Sequence, residues 1–268
     1  QQRTGRELVI TAVSARDRQK DRGVALTDYA WENDAVDLAQ RDDVDVFVEL
    51  MGGHDGPALE ATKAALAAGK DVVTANKAML AHFGHELATM AEEKNTLIRF
   101  EAAVAGGIPV IKSLTEGLAG NRISRVMGVM NGTCNYILTQ MQATGRGYDA
   151  LFEECAELGY LEADPLLDVG GIDAGHKLSL LSAIAFGTRV DFASVALEGI
   201  QHIALEDIEQ ADDMGYRIKL LGVAQMSDTG LEQRMSPCLV PKASPIGQLE
   251  GGTNMVVIEG DEVGRIVL

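Results

Sequence analysis

At 268 residues with 46% hydrophobic side chains, the chain is long enough to bury one or two sizeable cores. Its 23 basic against 40 acidic side chains give a net charge of -17, which disfavours nucleic acid and anionic membranes as partners. The same charge does not disfavour a phosphate-bearing cofactor, which a few local groups and helix N-termini can hold. Three widely spaced cysteines, Cys134, Cys155 and Cys238, form no Cys-x-x-Cys pair, and no apolar run reaches membrane-spanning length. A disulfide framework, a zinc site and a membrane span are therefore not expected, and a cytoplasmic setting is.

In chain order, residues 7–14 (ELVITAVS) and 44–50 (VDVFVEL) read as strands, the second almost wholly apolar. Residues 57–70 read as a helix with Pro57 in its first turn and Gly69 near its end. A strand at 71–75, a helix at 78–95 and a strand at 96–104 follow. Strands buried on both faces and separated by helices imply a parallel sheet with crossovers. Past Gly106-Gly107 the texture changes. Helices are expected at 109–119, 131–142, 148–158 and 176–187, a strand at 122–130, a helix then a strand within 204–226, and a β-rich tail. The reading is an α/β protein: a Rossmann-type parallel-sheet domain (1–105), an inserted α+β domain for substrate and dimerisation (106–258), and the start of a return to the first domain (259–268).

Ligands of open parallel sheets bind outside the carboxyl ends of the strands. Ser14, Arg16, Arg18 and Lys20 follow the first strand, Gly52 and Gly53 the second, and Asn76 and Lys77 the third. The glycine pair lets backbone approach a ligand closely, or is simply turn punctuation. Arg16, with no acid before Asp17, suits the 2′-phosphate of NADP over NAD, or is an ordinary solvated basic loop. No G-x-G-x-x-G follows a strand near the N-terminus. Either the chain is no dinucleotide binder or it begins after that turn, and its opening at Gln1 favours the second reading.

Residues 159–177, GYLEADPLLDVGGIDAGHK, pack Glu162, Asp164, Asp168 and Asp173 with paired glycines and Lys177 ahead of an apolar helix. Asp173 and Lys177 are four residues apart and share a helix face. They are either an exposed ion pair or, because LSLLSAIAFG follows, a boundary pair positioned to donate a proton. Pro165 stiffens a carboxylate loop suited to an α-ammonium group. His176 turns to another face, and His54, His82, His85 and His202 form no metal-ligand grouping.

The runs VVTANKAMLA, FEAAVAGGIPVIKSL, MNGTCNYIL and the nineteen-residue segment resemble homoserine dehydrogenases, with the likeness extending over about residues 44 to 226. The resemblance implies NAD(P)-dependent interconversion of L-homoserine and aspartate 4-semialdehyde, on the way to threonine, methionine and isoleucine. By matching position it makes Lys177 the general acid/base and Lys77 a second lysine near cofactor and substrate. Glu162, Asp168 and Asp173 become substrate acids and Gly159 a cofactor contact. Glu101, Val104, Gly106 and Ile108 match a loop that holds a monovalent cation, usually sodium, mainly through backbone oxygens. A homodimer is implied by the tail at 236–258 and the helix from 109. The family's N-terminal glycine-rich turn is missing, as is the glycine-rich segment expected after Leu268. Two alternatives share parts of the pattern: another NADP-linked semialdehyde reductase, and a non-catalytic nucleotide sensor that would need Gly52, Gly53 and Arg16 but not Lys177.

Overall fold

The computed structural model describes residues 5–268. The chain forms two compact units that divide between Phe100 and Glu101.

The first unit contains β1 (Ala12–Ser14), β2 (Ala30–Glu32), α1 (Ala35–Gln40), β3 (Val46–Glu49), α2 (Pro57–Ala67), β4 (Asp71–Thr74), α3 (Lys77–Lys94) and β5 (Ile98–Arg99). Strands β3, β4 and β5 form one parallel sheet, and β1 pairs in parallel with β2. Pro57 occupies the first turn of α2, where its missing N–H costs no hydrogen bond. Asn76 caps α3 by accepting from the Met79 amide (3.0 Å), and Asn95 ends it in the left-handed region at φ 55°. Ala58, Leu59, Ala61, Ala65 and Leu66 of α2 are buried, as are Phe47 and Val72 in the strands it packs on.

Three local expectations change. Of the strand read at 7–14 only Ala12–Ser14 pairs, because its partner is three residues long, and Leu8, Val9 and Ile10 are exposed. The strand read at 96–104 stops at Arg99, and its alanine-rich end becomes a helical turn. The apolar run at 44–50 reads as doubly buried, yet it alternates: Phe47 and Glu49 are buried, while Val46, Val48 and Leu50 are exposed. Strand β2 and α1 were not anticipated, although Asp34 caps α1 through the Val36 amide (2.8 Å).

The second unit contains α4 (Glu101–Ala105), α5 (Val110–Lys112) continuing into a π turn (Ser113–Gly117), β6 (Ile123–Val129), α6 (Gly132–Thr144), α7 (Tyr148–Glu157), α8 (Pro165–Val169), α9 (Ile172–Phe186), β7 (Ala196–Leu197), α10 (Leu205–Asp213), β8 (Tyr216–Ser227), β9 (Gly230–Pro241), β10 (Met255–Gly260) and β11 (Gly264–Val267). Its six-stranded sheet runs β11-β10-β6-β8-β9-β7, antiparallel except for β7 against β9. The helix read at 109–119 widens where Leu118 N–H reaches back to the Ser113 carbonyl (2.8 Å). Hydroxyls of Ser113 and Thr115 bond carbonyls one turn earlier, which favours that departure. Helices α6, α9 and α10 pack on β8, and Val129, Leu221, Val223, Val240 and Val257 form a core cluster in the same unit. Residues 259–268, read as the start of a return to the first domain, carry the end of β10, a turn and β11 of this sheet. No helix among the described residues is long and apolar enough to cross a membrane.

Candidate active site

Helix α9 starts behind Gly171, whose φ of 77° suits glycine at the turn out of α8. It begins four residues earlier than its apolar run alone indicates, so Asp173 lies in its first turn and Lys177 one turn on. Lys177 Nζ donates to Asp173 Oδ2 (2.7 Å) and to the Met130 carbonyl (2.9 Å). Their side chains are 16% and 4% exposed. The pair is therefore not an exposed one, because Ala174, Leu178, Leu180 and Leu181 sink the same helix into the core.

The residue that organises this pair, Asn131, was not singled out from the sequence. It follows β6 and caps α6, its Oδ1 accepting from the Cys134 amide (2.8 Å). Its Nδ2 donates to Asp168 Oδ1 (2.9 Å) and Asp173 Oδ2 (3.3 Å). Asp168 Oδ2 accepts from the Glu162 amide (2.8 Å), which fixes the loop before α8. Asp168 and Asp173 are buried, so one side-chain amide and one ammonium offset two adjacent carboxylates. Asn-Gly ahead of an apolar run signals a helix cap; nothing local signals the two long-range bonds.

The Cys134 thiol donates to the Asp168 carbonyl (3.3 Å), and burial first, then the nearby Asp168 and Asp173, push it well up, so it stays neutral. Glu162 is exposed, and Gly159 closes α7 at φ 71°. His176 is buried with its ring 4.2 Å from that of Phe192, on a packing face.

Around Glu101–Ile108, the Glu101 carboxylate accepts from the amides of Ile111 (2.8 Å) and Lys112 (2.9 Å). The Ile108 carbonyl accepts from Val110 N–H (2.7 Å), while Val104 is buried and Gly106 exposed. Among the described residues no group of three or more His, Cys, Asp or Glu side chains is arranged to hold a metal.

In the first unit, Ser14 ends β1 opposite Glu32, and Arg16 is exposed beyond it. Arg18 lies over the Trp31 ring at 5.4 Å. Gly52 and Gly53 are exposed at the end of β3, and Gly53 has φ 90°. The Gly53 carbonyl accepts from Asn76 Nδ2 (2.7 Å), next to Lys77 at the first position of α3. Gly56 precedes α2 at φ 61° and supplies no side-chain cap to the amides of the first turn.

The two units match two family models: residues 1–101 the one described as "Homoserine dehydrogenase, NAD binding domain", and residues 109–268 the one described as "Homoserine dehydrogenase". Homoserine dehydrogenase of Neisseria gonorrhoeae is 45% identical over 98% of this chain and 60% of its own length. That of Pseudomonas aeruginosa is 44% identical, with the same coverages. The crystal structure of a homoserine dehydrogenase from Thiobacillus denitrificans superposes with a TM-score of 0.92 at 43% identity, over 96% of this chain and 59% of that one. A hyperthermophilic archaeal homoserine dehydrogenase in complex with NADPH superposes at 0.74 and 28% identity, over 90% and 69%. The chain thus spans about 60% of the length of the curated relatives it matches. With both domain models, the run from Asn131 to Lys177 and the fold in agreement, this chain belongs to the homoserine dehydrogenase family.

Proposed function

We propose that the protein interconverts L-homoserine and L-aspartate 4-semialdehyde with a nicotinamide cofactor. The single observation that carries this reading is the half-buried Lys177 ammonium, held by Asp173 and the Met130 carbonyl beside a second buried acid, Asp168. Those bonds commit two of its three N–H donors, and the third is left for a substrate oxygen. In reduction, the aldehyde oxygen gains charge as its carbon takes up hydride, and Lys177 Nζ stabilises that oxygen and gives it a proton. In oxidation the neutral amine takes the proton from the homoserine hydroxyl. Asp173 keeps Nζ at one place in both directions. Glu162 and Asp168 supply negative charge for the α-ammonium of the amino-acid substrate.

The cofactor, when bound, supplies or accepts the hydride. The first unit fits one: Gly52 and Gly53 leave backbone open at a parallel strand end, and α2 begins with no side-chain cap on its amides. Lys77 stands at the same edge and supports the polarisation, and Arg16 inclines the preference toward NADP. Ser14 and Gly159 are the further cofactor contacts of this reading. The relative solved with NADPH supports the cofactor class.

A sodium-like cation is assigned to backbone oxygens of Glu101, Val104, Gly106 and Ile108. The Glu101 carboxylate is already committed to two amides, which leaves main-chain carbonyls as the donors there. Thermal unfolding compared in sodium and tetramethylammonium chloride tests that assignment. The net charge of -17 accords with a cytoplasmic protein that binds a small molecule and neither nucleic acid nor membrane. A homodimer through the β-rich region is the expected assembly, checked by sedimentation.

The deciding experiment is homoserine-dependent reduction of NADP and of NAD. Activity with homoserine and none with other hydroxy amino acids supports the reading; cofactor binding without turnover of any of them replaces it with a nucleotide sensor.

A further inference from the structure

The first unit carries a buried acid for which the mechanism above has no use. Glu49, the last residue of β3, is fully buried at 0% exposure. Its Oε1 accepts from the Met51 amide (2.5 Å) and its Oε2 from the Thr74 hydroxyl (2.5 Å), both neutral donors. Thr74, at the end of β4, accepts in turn from the Asn76 amide (2.9 Å). The Asn76 side chain then reaches across to the Gly53 carbonyl (2.7 Å) and caps α3 at Met79 (3.0 Å). The chain of bonds closes a loop: from β3 to β4, out along the α3 cap, and back to the turn that follows β3.

A carboxylate here is an expensive way to fill space, because it must be stripped of water and no cation neutralises it among its bonds given above. Phe47, two residues earlier on the same face, shows that an apolar side chain fits that face. What Glu49 adds is an acceptor with two oxygens, able to hold two donors on different strands at once. The donors it holds, the Met51 amide in the turn after β3 and the Thr74 hydroxyl on the last residue of β4, lie at the carboxyl edge of the parallel sheet, where ligands of such sheets bind.

We propose that Glu49 and Thr74 are positioning residues for the nicotinamide cofactor, locking the Gly52-Gly53 turn against the start of α3 so that its backbone and Lys77 meet the cofactor preformed. This rests on the cofactor reading of the first unit given above. It assigns to two buried side chains the work of keeping an exposed glycine turn in one shape, which glycine itself cannot do.

The test is direct NADPH binding by the full chain, read from nucleotide fluorescence, with unfolding midpoints measured alongside. Thr74→Val removes both hydroxyl bonds at nearly constant volume, and Thr74→Ser keeps them. A Kd raised roughly 10-fold or more in Thr74→Val and returned to within about 2-fold of the parent in Thr74→Ser supports the proposal. A parent-like Kd in a folded Thr74→Val overturns it. A parent chain that binds no nicotinamide nucleotide overturns the cofactor reading as well, so the two failures are told apart. Where Thr74→Val does not fold, amide exchange on the parent decides: protected Met51 and Asn76 amides in the cofactor-free protein support a preformed lock, and fast exchange at both overturns it.

Discussion

Asp173 Oδ2 lies 2.7 Å from Lys177 Nζ, and the same oxygen accepts from Asn131 Nδ2 at 3.3 Å. One carboxylate oxygen thus ties a lysine on α9 to the cap of α6. The pair is four residues apart on one helix, a spacing worth only a few tenths of a kcal/mol on a surface. Here it sits at the edge of a core, where loss of either partner costs the other this opposite charge in a setting with little water.

Replacing Lys177 with alanine removes the proton donor while leaving the acids in place. We expect kcat to fall by about 10²- to 10⁴-fold, the usual range for losing a positioned acid/base. Homoserine binding, followed by calorimetry, should change far less. A kcat within 10-fold of the parent would reject the role given to this lysine.

Glu162→Gln keeps the size of the side chain and removes its charge. Its backbone amide, which holds Asp168, is untouched. The expected result is a KM for homoserine raised about 10-fold with kcat largely retained, since uniform binding is what is lost. Should kcat fall and KM stay constant, Glu162 acts on the reacting end of the substrate instead.

Asn131 separates two explanations of its own importance. As a helix cap, aspartate serves as well as asparagine, whereas alanine costs about 1 kcal/mol. As the donor shared by Asp168 and Asp173, aspartate is the worst choice, because it sets a third carboxylate beside two buried ones. We expect Asn131→Asp to be less stable than Asn131→Ala in denaturant melts at neutral pH. The reverse order would reduce Asn131 to a cap.

The fold class was legible because the parallel sheet and its helices announce themselves through period, proline at helix starts and glycine at helix ends, as at Pro57 and Gly69. The Asp173–Lys177 pair was legible because it is local. Asn131 was not: its bonds to Asp168 and Asp173 span 37 and 42 residues, and sequence spacing carries no trace of them. Glu49 was hidden as well, since nothing in VDVFVEL signals that its one late acid meets the Met51 amide and the Thr74 hydroxyl. Strand extents failed where pairing decides them, as at β1, whose length is set by Ala30–Glu32 and not by its own apolar run.

Lys219 offers a prediction about stability instead of catalysis. It points from the first half of β8 into the second unit, where its Nζ donates to Asn135 Oδ1 (2.8 Å) and to the Leu249 carbonyl. It is 2% exposed. Burial, with the charge of Arg217 adding to it, pulls its pKa from 10.5 down to about 8. Below about pH 8 the lysine is charged in folded and unfolded chains alike, and the folded state bears the full cost of the buried ammonium. As pH rises past that point the folded protein gives up the proton while the unfolded chain keeps it up to its own pKa of 10.5. The unfolded state then binds more protons, so unfolding becomes harder with increasing pH. Lys219→Met removes this titration. The stability of the parent relative to Lys219→Met should therefore climb by about 2 kcal/mol between roughly pH 7 and pH 9.5, at 1.36 kcal/mol for each unit of pKa difference engaged. Urea melts of both proteins at the two pH values give the comparison directly. A difference that stays flat across that interval would mean Lys219 remains charged in the fold.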